Sequence, residues 1–285
     1  MKICILGGDK RQLQIINELK NKHEITLIGY DNLNPVDNIK LSNIREVDLS
    51  KFDSIIFPVS GVDKDGYIET SFGEKFNVDS KLLINTKKDV LIFTGIISKN
   101  LLKILETGNR EAISLMKDEE VIKENTIPTV EGIIADVIYN TEITINNANV
   151  FIIGYGNIGK SLLPLLETLG ARVTLGVENL EDVTTELAIE TSSLYDMKRA
   201  LNYNDIIINT APALVLDEEL LNYTNKEAYI LDVSSYPYGV DFECANKLNL
   251  KSKQLPGIPS KVAPVTSGLI LSKKIKRAIG GVNHG

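Results

Sequence analysis

The sequence predicts an α/β protein built from two doubly wound parallel sheets. Short apolar runs alternate with helical patterns along the chain, the rhythm of a parallel sheet with helices on both faces. A glycine-rich turn, Gly154-x-Gly156-x-x-Gly159, joins the apolar run Val150–Ile153 to a helical pattern near mid-chain. The length, 285 residues, suits about two such domains.

The first half opens with a strand, Lys2–Leu6, a Gly7-Gly8-Asp9 turn and an amphipathic helix over Lys10–Lys20. Strands follow at Glu24–Ile28, Ser54–Phe57 and Val90–Phe93; the last two lead into Pro58–Gly61 and Thr94–Ile96. Ligands of such sheets collect at the carboxyl ends of strands, so these turns should share one edge. Asn109–Asp118 reads as helix, Asn125–Pro128 as a break, and Thr129–Tyr139 as a connecting helix. In the second half the pattern gives strand 149–153, helix 157–169, strand 172–176, helices near 180–188 and 193–202, and strands Asp205–Asn209 and Ala228–Asp232. A helix over Asp241–Leu248 and a last one over Pro264–Ile279 complete the chain. The expected boundaries are 1–128 and 129–263, with the helix at 264–280 returning to the first domain.

Each glycine of the central turn has its own physical reason. Gly154 permits the tight strand-to-helix turn, Gly156 lets a pyrophosphate approach bare backbone, and Gly159 lets the helix pack closely on its strand. The helix start at Asn157 and Ile158 offers unpaired N–H groups and the positive end of a dipole. Glu178 lies beyond the second strand, about 20 residues on, where a ribose-binding carboxylate belongs. The segment therefore reads as a dinucleotide site.

Composition narrows the chemistry. A net charge of −7 gives no general attraction to nucleic acid or to an anionic substrate, so an anion must meet local cations or backbone donors. The cysteines, Cys4 and Cys244, show no metal or redox spacing and read as buried, reduced thiols; no metal is expected. No apolar run reaches membrane-spanning length and none resembles a signal peptide, so a cytoplasmic location is expected. His23, beside a lysine-rich helix end, and His284, in a glycine-rich tail, are the only histidines, and neither suits general acid–base work.

Several strand ends carry candidates, each with a plainer alternative. Asn209, Thr210, Ala211 and Pro212 end one strand and either face the cofactor or begin a capped helix. Asp232, Val233 and Ser234 end the next, as nicotinamide neighbours or as a capped turn. Asp9 suits a helix N-cap, whereas Arg11 opposes the helix dipole and reads either as a carboxylate clamp or as half of an ion pair. Ser60, Gly61, Thr94 and Gly95 suit backbone-mediated carboxylate binding or generic loops. Glu131 is an acid–base candidate or a capping-box partner. Leu255–Gly268, dense in proline and glycine, reads as a loop closing over an interdomain cleft, with Lys261 as a substrate cation, or as a stiff connector.

Taken in order, Gly7–Gln12, Pro58–Gly61, Asn125–Gly132, Gly154–Gly159, Ile208–Pro212, Leu231–Ser235 and Pro256–Gly268 resemble the A-type subunits of dipicolinate synthase along nearly the whole chain. The resemblance implies a flavodoxin-like first domain, a Rossmann second domain and NADP-linked oxidation of a cyclic dicarboxylate, hydroxy-tetrahydrodipicolinate or its dehydrated form, to pyridine-2,6-dicarboxylate. It also implies the flavoprotein-like B-type subunit of dipicolinate synthase as partner, and work in the mother cell of a sporulating bacterium; an oligomer is expected. Three departures stand out. Gly176-Val177-Glu178 replaces a run ending in a basic residue suited to a 2′-phosphate, which favours NAD. Tyr236 and Val265 each stand where the family's runs carry lysine. The reading is an oxidoreductase using NAD or NADP, with Asp9, Arg11 and Glu131 as catalytic candidates and Arg11, Ser60, Gly61, Thr94, Gly95 and Lys261 holding substrate. Its rivals are a non-catalytic nucleotide-binding protein that regulates or scaffolds a partner, and a dehydrogenase of another small carboxylate.

Overall fold

A computed structural model describes residues 1–34, 38–178, 183, 190–193 and 196–282. The chain divides into two compact units, Met1–Asn125 with Ala263–Gly285, and Thr126–Val262.

In the first unit, β1 (Lys2–Leu6) leads to α1 (Lys10–Leu19), β2 (Glu24–Ile28), β3 (Ile39–Ser42) and β4 (Ser54–Ile56). A small antiparallel hairpin, β5 (Tyr67–Ile68) and β6 (Phe76–Asn77), precedes β7 (Leu91–Thr94), α2 (Lys99–Gly108) and β8 (Ile113–Ser114). The sheet is parallel in the order β3-β2-β1-β4-β7-β8. Without the outer strand β3 this is the flavodoxin-like 2-1-3-4-5 order. Ile3, Cys4, Ile5 and Leu6 are all fully buried, because helices cover both faces of a parallel sheet. The last helix of the chain, Pro264–Val282, belongs to this unit, where Ile270, Leu271, Ile275 and Ile279 join a core that includes Ile3, Ile15 and Leu19.

The helix expected over Asn109–Asp118 lies elsewhere. Ser98 caps α2, its Oγ accepting from the Leu101 N–H, and Leu101, Ile104 and Leu105 form the buried face. Asn109, at φ 51°, ends that helix in the left-handed region, and the chain then supplies β8. The break expected at Asn125–Pro128 is also absent. Helix α3 runs unbroken over Glu119–Asn140 with Pro128 inside it. The burial of Val121, Val130, Ile133 and Val137 along its length outweighs the one hydrogen bond that proline removes.

In the second unit, β9 (Asn149–Ile153), α4 (Asn157–Thr168) and β10 (Arg172–Val177) precede β11 (Glu190–Ser193) and α5 (Met197–Tyr203). Then come β12 (Ile206–Asn209), α6 (Glu218–Asn222), β13 (Tyr229–Asp232), α7 (Phe242–Lys247), β14 (Lys251–Gln254) and α8 (Ile258–Val262). The final helix is thus α9. The sheet is parallel, in the Rossmann order β11-β10-β9-β12-β13-β14. The helix read near 180–188 lies outside the described residues, and Glu190–Ser193 is strand before α5 begins. Leu255–Gly268 is no open loop, because α8 fills its centre. Gly132 permits this: a Cβ there would stand 2.2 Å from Ile258 Cγ2.

Candidate functional site

Strand β9 ends where the second sheet reverses direction, with β10 on one side and β12 on the other. Such a switch point opens a crevice at the carboxyl edge. Gly154, at φ 96°, donates its N–H to Gly176 O at 2.8 Å. A Cβ on it would stand 2.7 Å from Thr210 Oγ1, in a backbone region that side chains avoid. On Gly159 a Cβ would meet Gly154 O at 2.2 Å, so close packing of α4 on the turn requires glycine. Gly156 differs from both. It is the N-cap of α4 with no side-chain cap, and a Cβ there would meet nothing within 4 Å. The amides of the first turn, at exposed Asn157 and half-buried Ile158, lack intrahelical acceptors and face that open space. Bare backbone, a helix start and open volume together fit a pyrophosphate. Glu178 is exposed just past β10.

The neighbouring strand ends serve that turn from behind. Thr210 donates its hydroxyl to Ile153 O at 2.9 Å, and its contact with Gly154 O is 3.3 Å. Asn209 is fully buried; its Nδ2 donates to Asp232 Oδ1 at 2.9 Å and to Ala211 O at 3.0 Å. Asp232, also fully buried, accepts from Ser234 N–H at 3.0 Å and Gly239 N–H at 2.9 Å. A Cβ on Gly239 would fall 1.9 Å from Asn209 Nδ2, so this glycine completes the knot. The side chains of Asn209, Thr210 and Asp232 are thus engaged in holding these strand ends together. Ala211 and Pro212 present the accessible surface here. The capped-helix alternative for this segment falls, since α6 begins at Glu218 with Asp217 as its N-cap. Half-buried Val233 packs on the core, and the Ser234 hydroxyl is buried without a partner among the described residues.

In the first unit, Asp9 caps α1 in a reciprocal capping box with Gln12. It also pairs with Arg11. The guanidinium Nε and Nη2 donate to the two carboxylate oxygens at 2.9 and 2.6 Å, and the Arg11 amide donates to Oδ1 at 3.0 Å. The Arg11 side chain is only 11% exposed. Both carboxylate oxygens of Asp9 are thereby engaged by Arg11, which holds the guanidinium in place. At the next strand ends, Gly61 N–H donates to Pro58 O at 3.0 Å, at φ 73°, with exposed Ser60 beside it. Thr94 is fully buried and donates to Pro58 O at 3.1 Å and Ile96 O at 3.0 Å. Gly95 lies buried against Val59, 2.4 Å from where its Cβ would be. These contacts bring Pro58–Gly61 and Thr94–Ile96 together and tie the Thr94 hydroxyl and Gly95 into the fold.

In the second unit, Glu131 is exposed on α3 and Lys261 on α8. The capping-box reading of Glu131 is overturned, because no helix begins there. Two features escaped the sequence reading. The β5–β6 region joins the first turn: Gly8 N–H donates to Glu69 O at 2.7 Å, and Tyr30, stacked on Phe72, donates to Gly7 O at 2.7 Å. Such short strands leave little periodicity to find. The other is Lys160, directly after Gly159, whose Nζ lies 5.2 Å from the centre of the Tyr155 ring. A cation in the first turn of a helix, the signal that singled out Arg11, marks it equally.

His23 stays outside this chemistry. It stands 3.5 Å from the terminal amine, and burial, then the charges of that amine and Lys22, hold its pKa below the ordinary value. His284 lies outside the described residues. Among the described residues no group of three or more metal-ligating side chains forms, and no helix is long and apolar enough to cross a membrane.

Comparison with known proteins accords with this geometry. Residues 2–116 match the model of the N-terminal domain of the dipicolinate synthase A-type subunit. The A-type dipicolinate synthase subunit of Bacillus subtilis is 32% identical over 99% of this chain and 97% of its own. The crystal structure of its counterpart from Bacillus halodurans superposes with a TM-score of 0.93 at 32% identity, covering 97% of each chain. The Bacillus subtilis crystal structure gives 0.90 at 32% identity, covering 99% of this chain and 97% of the other. Similarity of this extent, over nearly the whole chain, places it in the family of dipicolinate synthase A-type subunits.

Proposed function

We propose that this chain is the oxidoreductase subunit of a dipicolinate synthase. Its substrate is hydroxy-tetrahydrodipicolinate or the dihydrodipicolinate left when water is lost, and its product is pyridine-2,6-dicarboxylate. From the dihydro form the step removes one hydride and one proton. A bound NAD or NADP supplies the hydride acceptor. Aromatisation of the ring provides driving force, so the protein's tasks are orientation and removal of the proton.

The observation that carries the reading is the open, uncapped backbone at Gly156, at the switch point of a Rossmann-order sheet. Gly154, Gly156 and the amides of Asn157 and Ile158 hold the pyrophosphate, and Glu178 accepts from a free ribose 2′-hydroxyl, which favours NAD. Ala211, Pro212, Val233 and Ser234 border the nicotinamide end. Arg11, held by Asp9, binds a substrate carboxylate, with Ser60 and the Gly61 backbone as further donors. Glu131, exposed on α3, is the proton-acceptor candidate. The flavoprotein-like B-type subunit accompanies the chain in the mother cell of a sporulating bacterium.

The test supplies the substrate with NAD or NADP and follows the reduced nicotinamide together with the aromatic product, with and without the second subunit. The expected result is one reduced dinucleotide for each pyridine dicarboxylate, with Arg11→Leu raising KM and Glu131→Gln lowering kcat. No turnover with either dinucleotide, second subunit present, would sink the enzymatic reading.

A further inference from the structure

Lys160 has no role in the reading above, yet its placement is specific. Side chains on a helix lean back toward its N-terminus, so a residue at this position covers the turn four residues earlier. Here that turn is Gly156, an N-cap without a side-chain cap, whose Cβ position is open. The Lys160 amide donates to Gly156 O at 2.9 Å, which fixes the base of the side chain over that turn. Its Nζ lies 5.2 Å from the centre of the Tyr155 ring. That ring, half-buried against the core of the second unit, gives the ammonium a fixed apolar face to rest on. Among the described residues no carboxylate lies within 4 Å of Nζ. An unneutralised lysine in a first helical turn works against the macrodipole, so local stability does not explain it.

Resting on the dinucleotide reading of this turn, we infer that Lys160, held by Tyr155, is a positioning cation for the pyrophosphate. The backbone amides supply directional hydrogen bonds, whereas the ammonium supplies a full charge that swings from the tyrosine face onto a phosphate oxygen. In a chain of net charge −7, such a local cation offsets the general repulsion of a polyanion. The contact involves only the pyrophosphate and so is common to NAD, NADP and ADP-ribose; it leaves their discrimination to Glu178.

Direct binding measures this without turnover. The full-length chain is titrated with NADH, NADPH and ADP-ribose between low and moderate salt, alongside Lys160→Met, Lys160→Arg and Tyr155→Leu. Lys160→Met should weaken all three ligands by roughly fivefold to tenfold, as expected for one partly exposed charge-assisted contact. It should also flatten the salt dependence of binding, whereas Lys160→Arg retains most of both. Tyr155→Leu should weaken binding less, and by nothing further in the Lys160→Met background. Unchanged affinity and salt dependence in a folded Lys160→Met, while Gly156→Val abolishes binding, would overturn this inference alone. Failure of the unaltered chain to bind any of the three would overturn it together with the dinucleotide site itself.

Discussion

Gly154, Gly156 and Gly159 share one motif but respond to substitution for different physical reasons. Gly154→Ala and Gly159→Ala drive a Cβ to within 2.7 Å of Thr210 Oγ1 and 2.2 Å of Gly154 O. Each should destabilise the second unit by about 1–3 kcal/mol, read as a lower melting temperature. Gly156→Val places its side chain in open space, so the melting temperature should hold while NADH affinity falls by more than about tenfold. A matching loss of stability at Gly156 would mean that the open volume is filled by the protein itself. Glu178→Arg tests the ribose end: calorimetric titration should show preference moving from NAD toward NADP, and an unchanged ratio would remove Glu178 from the site. At this scale the sequence was legible for Gly154 and Gly159, whose need for a missing side chain is local. It was silent on which polar groups face inward. Asn209, Thr210 and Asp232 look like ligands in a strand-end motif, yet their hydrogen bonds run to Gly154, Ala211, Ser234 and Gly239. Ala211 and Ser234 are near neighbours, but Gly154, Gly239 and the Asn209–Asp232 bond lie across strands and turns, where no local pattern reveals them.

Among the elements, α9 is fastened most heavily by charge. Lys274 pairs with Asp118, Lys273 and Arg277 with Glu120, Lys273 also with Glu124, and Lys276 with Glu18. Hydrogen bonding to Lys276, Lys274 and Lys273 is the leading cause that holds Glu18, Asp118 and Glu120 below the usual carboxylate range. Because their folded pKa values are lowered, the stabilisation is complete above the ordinary carboxylate pKa and is lost as pH falls through the lowered values. These groups are exposed or half-buried at the surface, so each pair contributes little and salt weakens it. The apolar face, with Leu271 and Ile275 fully buried, carries most of the attachment. Amide exchange along 264–282 should therefore rise as pH drops below about 4, after correction for the intrinsic rate, and high salt should reduce the difference. Protection independent of both pH and salt would show the ion pairs to be energetically silent. Helix periodicity made α9, α1 and α4 readable, whereas the Asn109–Asp118 reading failed because a 3₁₀ turn and a two-residue strand bury Leu115 without a helix.

On the scale of the whole chain, the first unit is discontinuous in sequence, since Ala263–Gly285 completes what Met1–Asn125 begins. Ile270, Leu271, Ile275 and Ile279 are each at most 8% exposed within one core with Ile3, Ile15 and Leu19. Their burial contributes on the order of 6–12 kcal/mol at about 1.5–3 kcal/mol per side chain, comparable to the net stability of a domain. A chain ending at Val262 should therefore lose the first unit as a folded body and leave its sheet exposed and prone to aggregation. The second unit, Thr126–Val262, keeps its sheet, the Asn209–Asp232–Gly239 bonds and the Gly154–Gly159 turn within its own contacts. The truncated chain should then show a single unfolding transition that NADH still raises, by about 2.7 kcal/mol at a concentration a hundred times the Kd. Full-length protein should gain the same increment, because the ligand acts through the second unit in both. Loss of NADH stabilisation on truncation, with the remaining transition intact, would show that coenzyme binding draws on the first unit and that the nucleotide site is not self-sufficient.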